Sequence, residues 1–197
     1  MTQDARFRTA IERMDALNRA DPNRETVAGQ DYPKELLYAE RMSAWLARLA
    51  PEASEALRLA VRSQHIGRWI IPRSNYSMDR RGYHQWRTEL ARFHAATVRG
   101  ILLEVGYDEG IIVRAEQLLQ KINLKTDPEA QLLEDTACLV FLEHYFSAFA
   151  QKHEEQKLIT IVQKAWKKMS AQAQQTALTL KFAAADQAVI EKALSSG

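Results

Sequence analysis

The sequence predicts an all-α protein, and three observations carry that expectation. Glycine and proline are scarce, at 7 and 5 of 197 residues, while the stronger helix formers Ala, Leu, Glu, Gln, Lys and Arg are plentiful. Apolar residues recur three and four positions apart through most of the chain, which is the period of one helix face. No alternating strand pattern, low-complexity tract or fixed-period repeat stands out.

The elements follow in order. Phe7, Ile11, Met14 and Leu17 place a helix over 4–21, ended by the turn signal Asp21-Pro22-Asn23. Gly29 to Pro33 breaks the chain, and Pro33 suits the start of a second helix, 34–50, with Tyr38, Met42, Trp45 and Leu49 on one face. Pro51 opens a third, 51–69, where Leu57, Val61, His65 and Trp69 stand four apart. Residues 70–82 read as the principal irregular loop, with Pro72, Ser74, Asn75 and Gly82. A long helix over 83–106 ends at Gly106, and shorter ones cover 108–123 and 127–151. The pattern closes with helices over 157–181 and 184–195. The expected organisation is a single α-helical domain over 1–197, with a core at about 34–151 and a C-terminal helical extension at about 152–197.

A net charge of +2 gives no general basic footprint, and no reading motif is present, so sequence-specific nucleic-acid binding is not expected. One cysteine, Cys138, cannot close an intramolecular disulfide, which suits a reducing cytoplasm. Residues 1–24 mix acids and bases without a signal-like apolar segment. The longest apolar run, 137–142, falls far short of the ~20 residues that span a bilayer. The expectation is a cytoplasmic protein with no membrane partner.

The informative question is where the helical period puts a titratable residue on the apolar side. His65 lies four residues from Val61 and Trp69, and His94 lies four from Leu90 and Val98. Asp135 is three from Leu132 and four from Leu139. Each points inward from a different helix. A buried carboxylate is costly unless paired, hydrogen-bonded or bound to a metal. Two imidazoles and a carboxylate therefore make a candidate site for a divalent metal, with zinc, iron or manganese suited to such ligands. Glu35, one turn before Tyr38, is a candidate fourth group. Taken one at a time, each is better read as a core residue satisfied by its neighbours, and only their coincidence on three helices brings the site reading level with that one.

Residues 62–92 hold seven arginines (Arg62, Arg68, Arg73, Arg80, Arg81, Arg87 and Arg92) against only Asp79 and Glu89. Trp69, Tyr76, Tyr83 and Trp86 are interleaved with them. A guanidinium pairs bidentately with phosphate or carboxylate and stacks on aromatic rings. A loop between the His65 and His94 helices would hang such groups over the polar centre as an anion clamp. The competing reading is a solvated loop whose arginines pair with surface acids. His84 reads as loop surface, and Cys138, among Leu139, Val140 and Phe141, as an inert buried thiol. No Gly-rich phosphate loop or G-x-S-x-G elbow occurs.

The segments Asp15-x-x-Asn18-x-x-Asp21-Pro22, 35–42, 64–73, 80–87 and 164–170 resemble the blocks of the family called domain of unknown function 4202. That resemblance spans nearly the whole chain and implies no particular activity. More weakly, 60–69, 93–110 and 132–143 resemble the HD superfamily of metal-dependent phosphohydrolases. It implies an HD-like multi-helix bundle with a C-terminal helical extension. Ile66 stands where that layout pairs Asp with His, and Tyr38 where it begins with His.

Two functional expectations result. In the first, a metal on His65, His94 and Asp135 activates water for hydrolysis of a small phosphorylated or anionic metabolite. Arg68, Arg73, Arg80, Arg81 and Arg87 bind the anion, Tyr76 and Trp86 shape the pocket, and Glu35 or Tyr38 transfers protons. In the second, the same clamp is metal-free and binds an anion or nucleotide, or serves as a helical interaction surface.

Overall fold

A computed structural model describes residues 2–195. Among them are ten α-helices and one two-stranded sheet, so the fold is all-α apart from a hairpin. The chain forms two compact units, Met1–Ala130 and Gln131–Gly197.

In the first unit, α1 (Gln3–Arg19) starts at Thr2, whose hydroxyl accepts from the Ala5 N–H. It buries Ala10, Met14 and Asn18. Next comes the hairpin that the helical pattern does not announce. Strands β1 (Arg24–Val27) and β2 (Gln30–Pro33) pair antiparallel with Val27 opposite Gln30. Ala28 and Gly29 form its two-residue turn with φ of 50° and 80°, the doubly positive backbone that matches strand twist.

Helix α2 (Lys34–Leu49) buries Ala39, Met42, Trp45 and Leu46. Helix α3 (Glu55–Ser63), capped by the Ser54 hydroxyl, packs on α2 and on α5 (Glu109–Leu119). It ends six residues before the expected 69, because Gly67 takes a left-handed φ of 61° and redirects the chain into two short 3₁₀ turns, Arg68–Ile70 and Arg73–Asn75. Helix α4 (Arg80–Val105) runs against α1 and α5. It is capped by the Asp79 carboxylate and ends at Gly106, φ 85°. The core holds Met14, Met42, Trp45, Leu57, Leu59, Ile66, Leu102, Ile112 and Leu118, all essentially inaccessible. Burial of such side chains is worth about 1.5–3 kcal/mol each. Ile66 is thus a core residue.

The division between units falls inside α6 (Pro128–Val140), which continues through a wide turn, Phe141–Tyr145, into α7 (Phe146–Ala150). The expected 157–181 helix is two, α8 (Glu155–Trp166) and α9 (Ala171–Ala177), and α10 (Ala184–Ser195) closes the chain. Ser170 caps α9 between them, its hydroxyl accepting from the Ala173 N–H. Phe146, Val162, Ile190 and Ala193 form the core of this unit. No helix among the described residues is long and apolar enough to cross a membrane.

Candidate functional site

The site is built where α3 gives way to the turn Gln64–Gly67, and the end of α1 holds that turn in place. Asn18, 1% exposed, accepts from the Gly67 N–H at 3.1 Å and donates to the Glu35 carbonyl at 3.5 Å. Asp21 accepts from the Glu35 N–H at 3.0 Å and from Asn23. Asp15 takes a bidentate pair of bonds from Arg62, joining α1 to α3. The Asp15, Asn18 and Asp21 motif is thus a scaffold that fixes Glu35 and Gly67. A Cβ on Gly67 would sit 3.1–3.2 Å from Ile70, Phe93 and Leu17, so the close approach as well as the backbone calls for glycine.

Glu35, His65 and Arg68 form a chain of hydrogen bonds. His65 Nδ1 lies 3.1 Å from Glu35 Oε2, and its Nε2 lies 2.7 Å from an Arg68 guanidinium nitrogen. A guanidinium only donates. Nε2 must therefore accept, and the imidazole carries its proton on Nδ1, directed at Glu35. Burial, then the charges of Arg68, Arg87, Lys121 and Lys34, hold His65 well below its ordinary pKa, so the ring is neutral. Burial also raises the Glu35 pKa, while Arg68 pulls it down. Tyr38 stacks on His65, centroids 4.0 Å apart and planes within 12°. Arg68 sits 4.8 Å over the Trp86 ring.

His94 on α4 lies 6.2 Å from His65 between ring centroids. Burial first, then proximity to the His65 ring and the charges of Arg68 and Arg87, push its pKa down to about 2, against a hydrogen bond with the Gln64 backbone. Its Nε2 is buried without a protein partner, as is Oε1 of Gln64. Both residues line a cavity of about 360 Å³ with His65, His84, Arg87, Thr88, Arg92 and, from the far wall, Leu119, Gln120, Lys121 and Ile122. No Asp or Glu lines it.

The arginines part company. Arg87 reaches the cavity. Arg68 stands behind His65, and Arg73 donates to the Tyr76 and Asp79 carbonyls, fastening its own loop. Arg80 and Arg81 begin α4, exposed and outside the cavity lining. Trp86 donates its indole N–H to the Ile71 carbonyl, and Tyr76 hydrogen-bonds to Glu89. Glu35 and Tyr38 likewise stand behind His65 rather than in the lining.

Residues 8–190 match the family model described as Domain of unknown function (DUF4202). The chain belongs to that family. No curated protein and no solved structure matches it.

In this DUF4202 chain Asp135 is buried in the second unit, where it accepts from the Ser170 hydroxyl at 2.6 Å, the Ser170 N–H at 2.8 Å and Gln131 at 2.9 Å. Its carboxylate thereby anchors the residue that caps α9. Among the described residues no group of three or more His, Cys, Asp and Glu side chains is disposed to hold a metal. As arranged, His65 offers a metal no free nitrogen, since Glu35 and Arg68 engage both. The sequence pattern does not announce Gln64, Thr88 or the 119–122 wall of the DUF4202 cavity. Lys121 carries the one physical signal there, a left-handed φ of 54°, a strained backbone that tends to cluster at functional sites.

Proposed function

We propose that the first unit binds a small phosphorylated or otherwise anionic metabolite in the His65–His94 cavity, without a metal. One observation carries this reading: Arg87, Arg92 and Lys121 face a cavity whose wall contains no carboxylate. A volume of about 360 Å³ lies at the lower end of small-molecule sites. Cations around a partly enclosed space attract an anion, and Arg87 supplies the planar fork that grips phosphate. Glu35, Tyr38 and Arg68 hold the neutral His65 ring as a fixed part of the wall. The test is the melting temperature of the protein in inorganic phosphate at constant ionic strength. Phosphate raises Tm with concentration, as a ligand of the folded state must, and Arg87→Ala removes the effect. An unchanged Tm in the wild type overturns the reading.

The metal-dependent hydrolase is the second reading, favoured by the unpartnered Nε2 of His94. It requires Arg68 to leave His65. Elemental analysis of wild type and His94→Ala after incubation with zinc, iron or manganese decides it: near-stoichiometric metal lost in the variant supports it, and none in the wild type removes it.

A further inference from the structure

We infer that the cavity takes a hydroxylated phosphomonoester, a phosphorylated sugar or polyol, with its hydroxyl groups donating to Gln64 and His94 and its phosphate on Arg87 and Lys121. This rests on the anion-binding reading above and adds the other end of the ligand. Among the described residues three buried side-chain polar atoms lack a protein partner, and two of them, Gln64 Oε1 and His94 Nε2, belong to the wall of this one cavity. Both residues are more than nine-tenths buried, at 8% and 4% exposure.

The chemistry of the two atoms names the group they want. An amide oxygen only accepts. The neutral imidazole of His94 hydrogen-bonds to the Gln64 backbone, and its Nε2 then presents a lone pair. Two unpartnered acceptors on residues of one wall call for donors, and a second anion placed against them would meet lone pairs alone. Hydroxyl groups of a sugar or polyol supply the donors, while the basic residues of the same wall hold the phosphate. A buried polar atom left unmatched costs about 1–3 kcal/mol. A ligand lacking the hydroxyls leaves both unmatched, and the site discriminates against it.

Calorimetric titration with charge-matched probes tests this: ribose 5-phosphate and glycerol 3-phosphate against propyl phosphate. The hydroxylated esters bind about tenfold or more tighter. Gln64→Leu and His94→Phe reduce that preference to less than about threefold, and circular-dichroism melts matching the wild type show that neither variant is misfolded. Equal affinity of the wild type for all three esters overturns the inference and leaves the anion site standing. No binding of any ester at millimolar concentration overturns both.

Discussion

The Nε2 atom of His65 accepts a hydrogen bond from Arg68 at 2.7 Å, and this contact fixes the proton of the ring on the opposite nitrogen, 3.1 Å from Glu35. The imidazole is therefore a bridge between a cation and a carboxylate that themselves approach only to 4.0 Å. Its role in the cavity wall is to hold shape and neutrality.

That relationship predicts a fixed tautomer. Nitrogen-15 correlation spectra show His65 as the Nδ1-protonated form, unchanged across the neutral pH range. Arg68→Met removes the guanidinium and strands the Glu35 carboxylate, 10% exposed at its side chain. The loss is roughly 2–3 kcal/mol in urea denaturation, below that for a wholly buried pair, since 23% of the Arg68 side chain is exposed. Adding Glu35→Gln to Arg68→Met recovers part of it, because the stranded charge is gone. A double variant no more stable than Arg68→Met would show that packing, not charge, set the cost.

Acid lability follows from the two histidines. Both are held below the ordinary 6.5, His94 at about 2, with burial the first cause. Below about pH 6.5 the unfolded chain takes up protons that the folded chain refuses. Their contribution is therefore complete above that pH and lost as pH falls, by about 1.4 kcal/mol per pH unit for each ring. Glu35, raised from 4.5 by burial, has the opposite sign: its contribution is present below 4.5 and lost as pH rises through its folded value. It offsets part of the histidine slope just above 4.5. Denaturation between about pH 5 and 7 gives the slope directly. His94→Gln lowers it by about one proton, and parallel curves for variant and wild type would mean that His94 is charged in the fold.

Asn18 links α1 to both halves of the site, and its loss is felt at a distance. Asn18→Ala leaves the Gly67 N–H without its 3.1 Å partner and frees the Glu35 carbonyl. The expected destabilisation is about 1–3 kcal/mol. His65 and His94 resonances shift in the same spectrum, although the hydrogen bonds of Asn18 go to Glu35 and Gly67. A stability loss with unmoved histidine resonances would confine Asn18 to a local role.

Much of this was legible in the sequence, and the failures have a common physical origin. Apolar spacing reports depth, so it places His94 and Asp135 in buried positions, at 4% and 2% exposure. It does not report company. Asp135 answers to Ser170, 35 residues on, and nothing local announces that bond. The 24–33 hairpin escaped because its strands are four residues each and its turn is Ala28-Gly29, where only the glycine is a strong signal. The 119–122 wall escaped because the helical pattern runs on to 123, whereas the helix ends at Leu119 and Lys121 turns left-handed without a glycine. The arginine cluster was visible as composition. Which arginines face the cavity depends on the side of α4 that carries Arg87 and Arg92, while the loop bonds of Arg73 keep it out of the lining.

Two glycines of α4 separate a loop constraint from ordinary helix propensity. Gly100 is exposed, and a Cβ there meets nothing within 4 Å. Gly100→Ala therefore stabilises by about 0.5–1 kcal/mol through reduced unfolded-state freedom. Gly82 lies in the first turn of the same helix, and a Cβ there would come 2.1 Å from the Ser77 carbonyl oxygen. Ser77 must move, and its hydroxyl donates to the Asp79 carboxylate that in turn caps the Gly82 N–H. Gly82→Ala thus costs about 2 kcal/mol or more, combining overpacking with a damaged cap. Arg73, bonded to the Tyr76 and Asp79 carbonyls, loses its footing with them. Hydrogen exchange in Gly82→Ala then rises across residues 70–82 and stays unchanged in Gly100→Ala, and equal exchange in the two variants would place the constraint elsewhere.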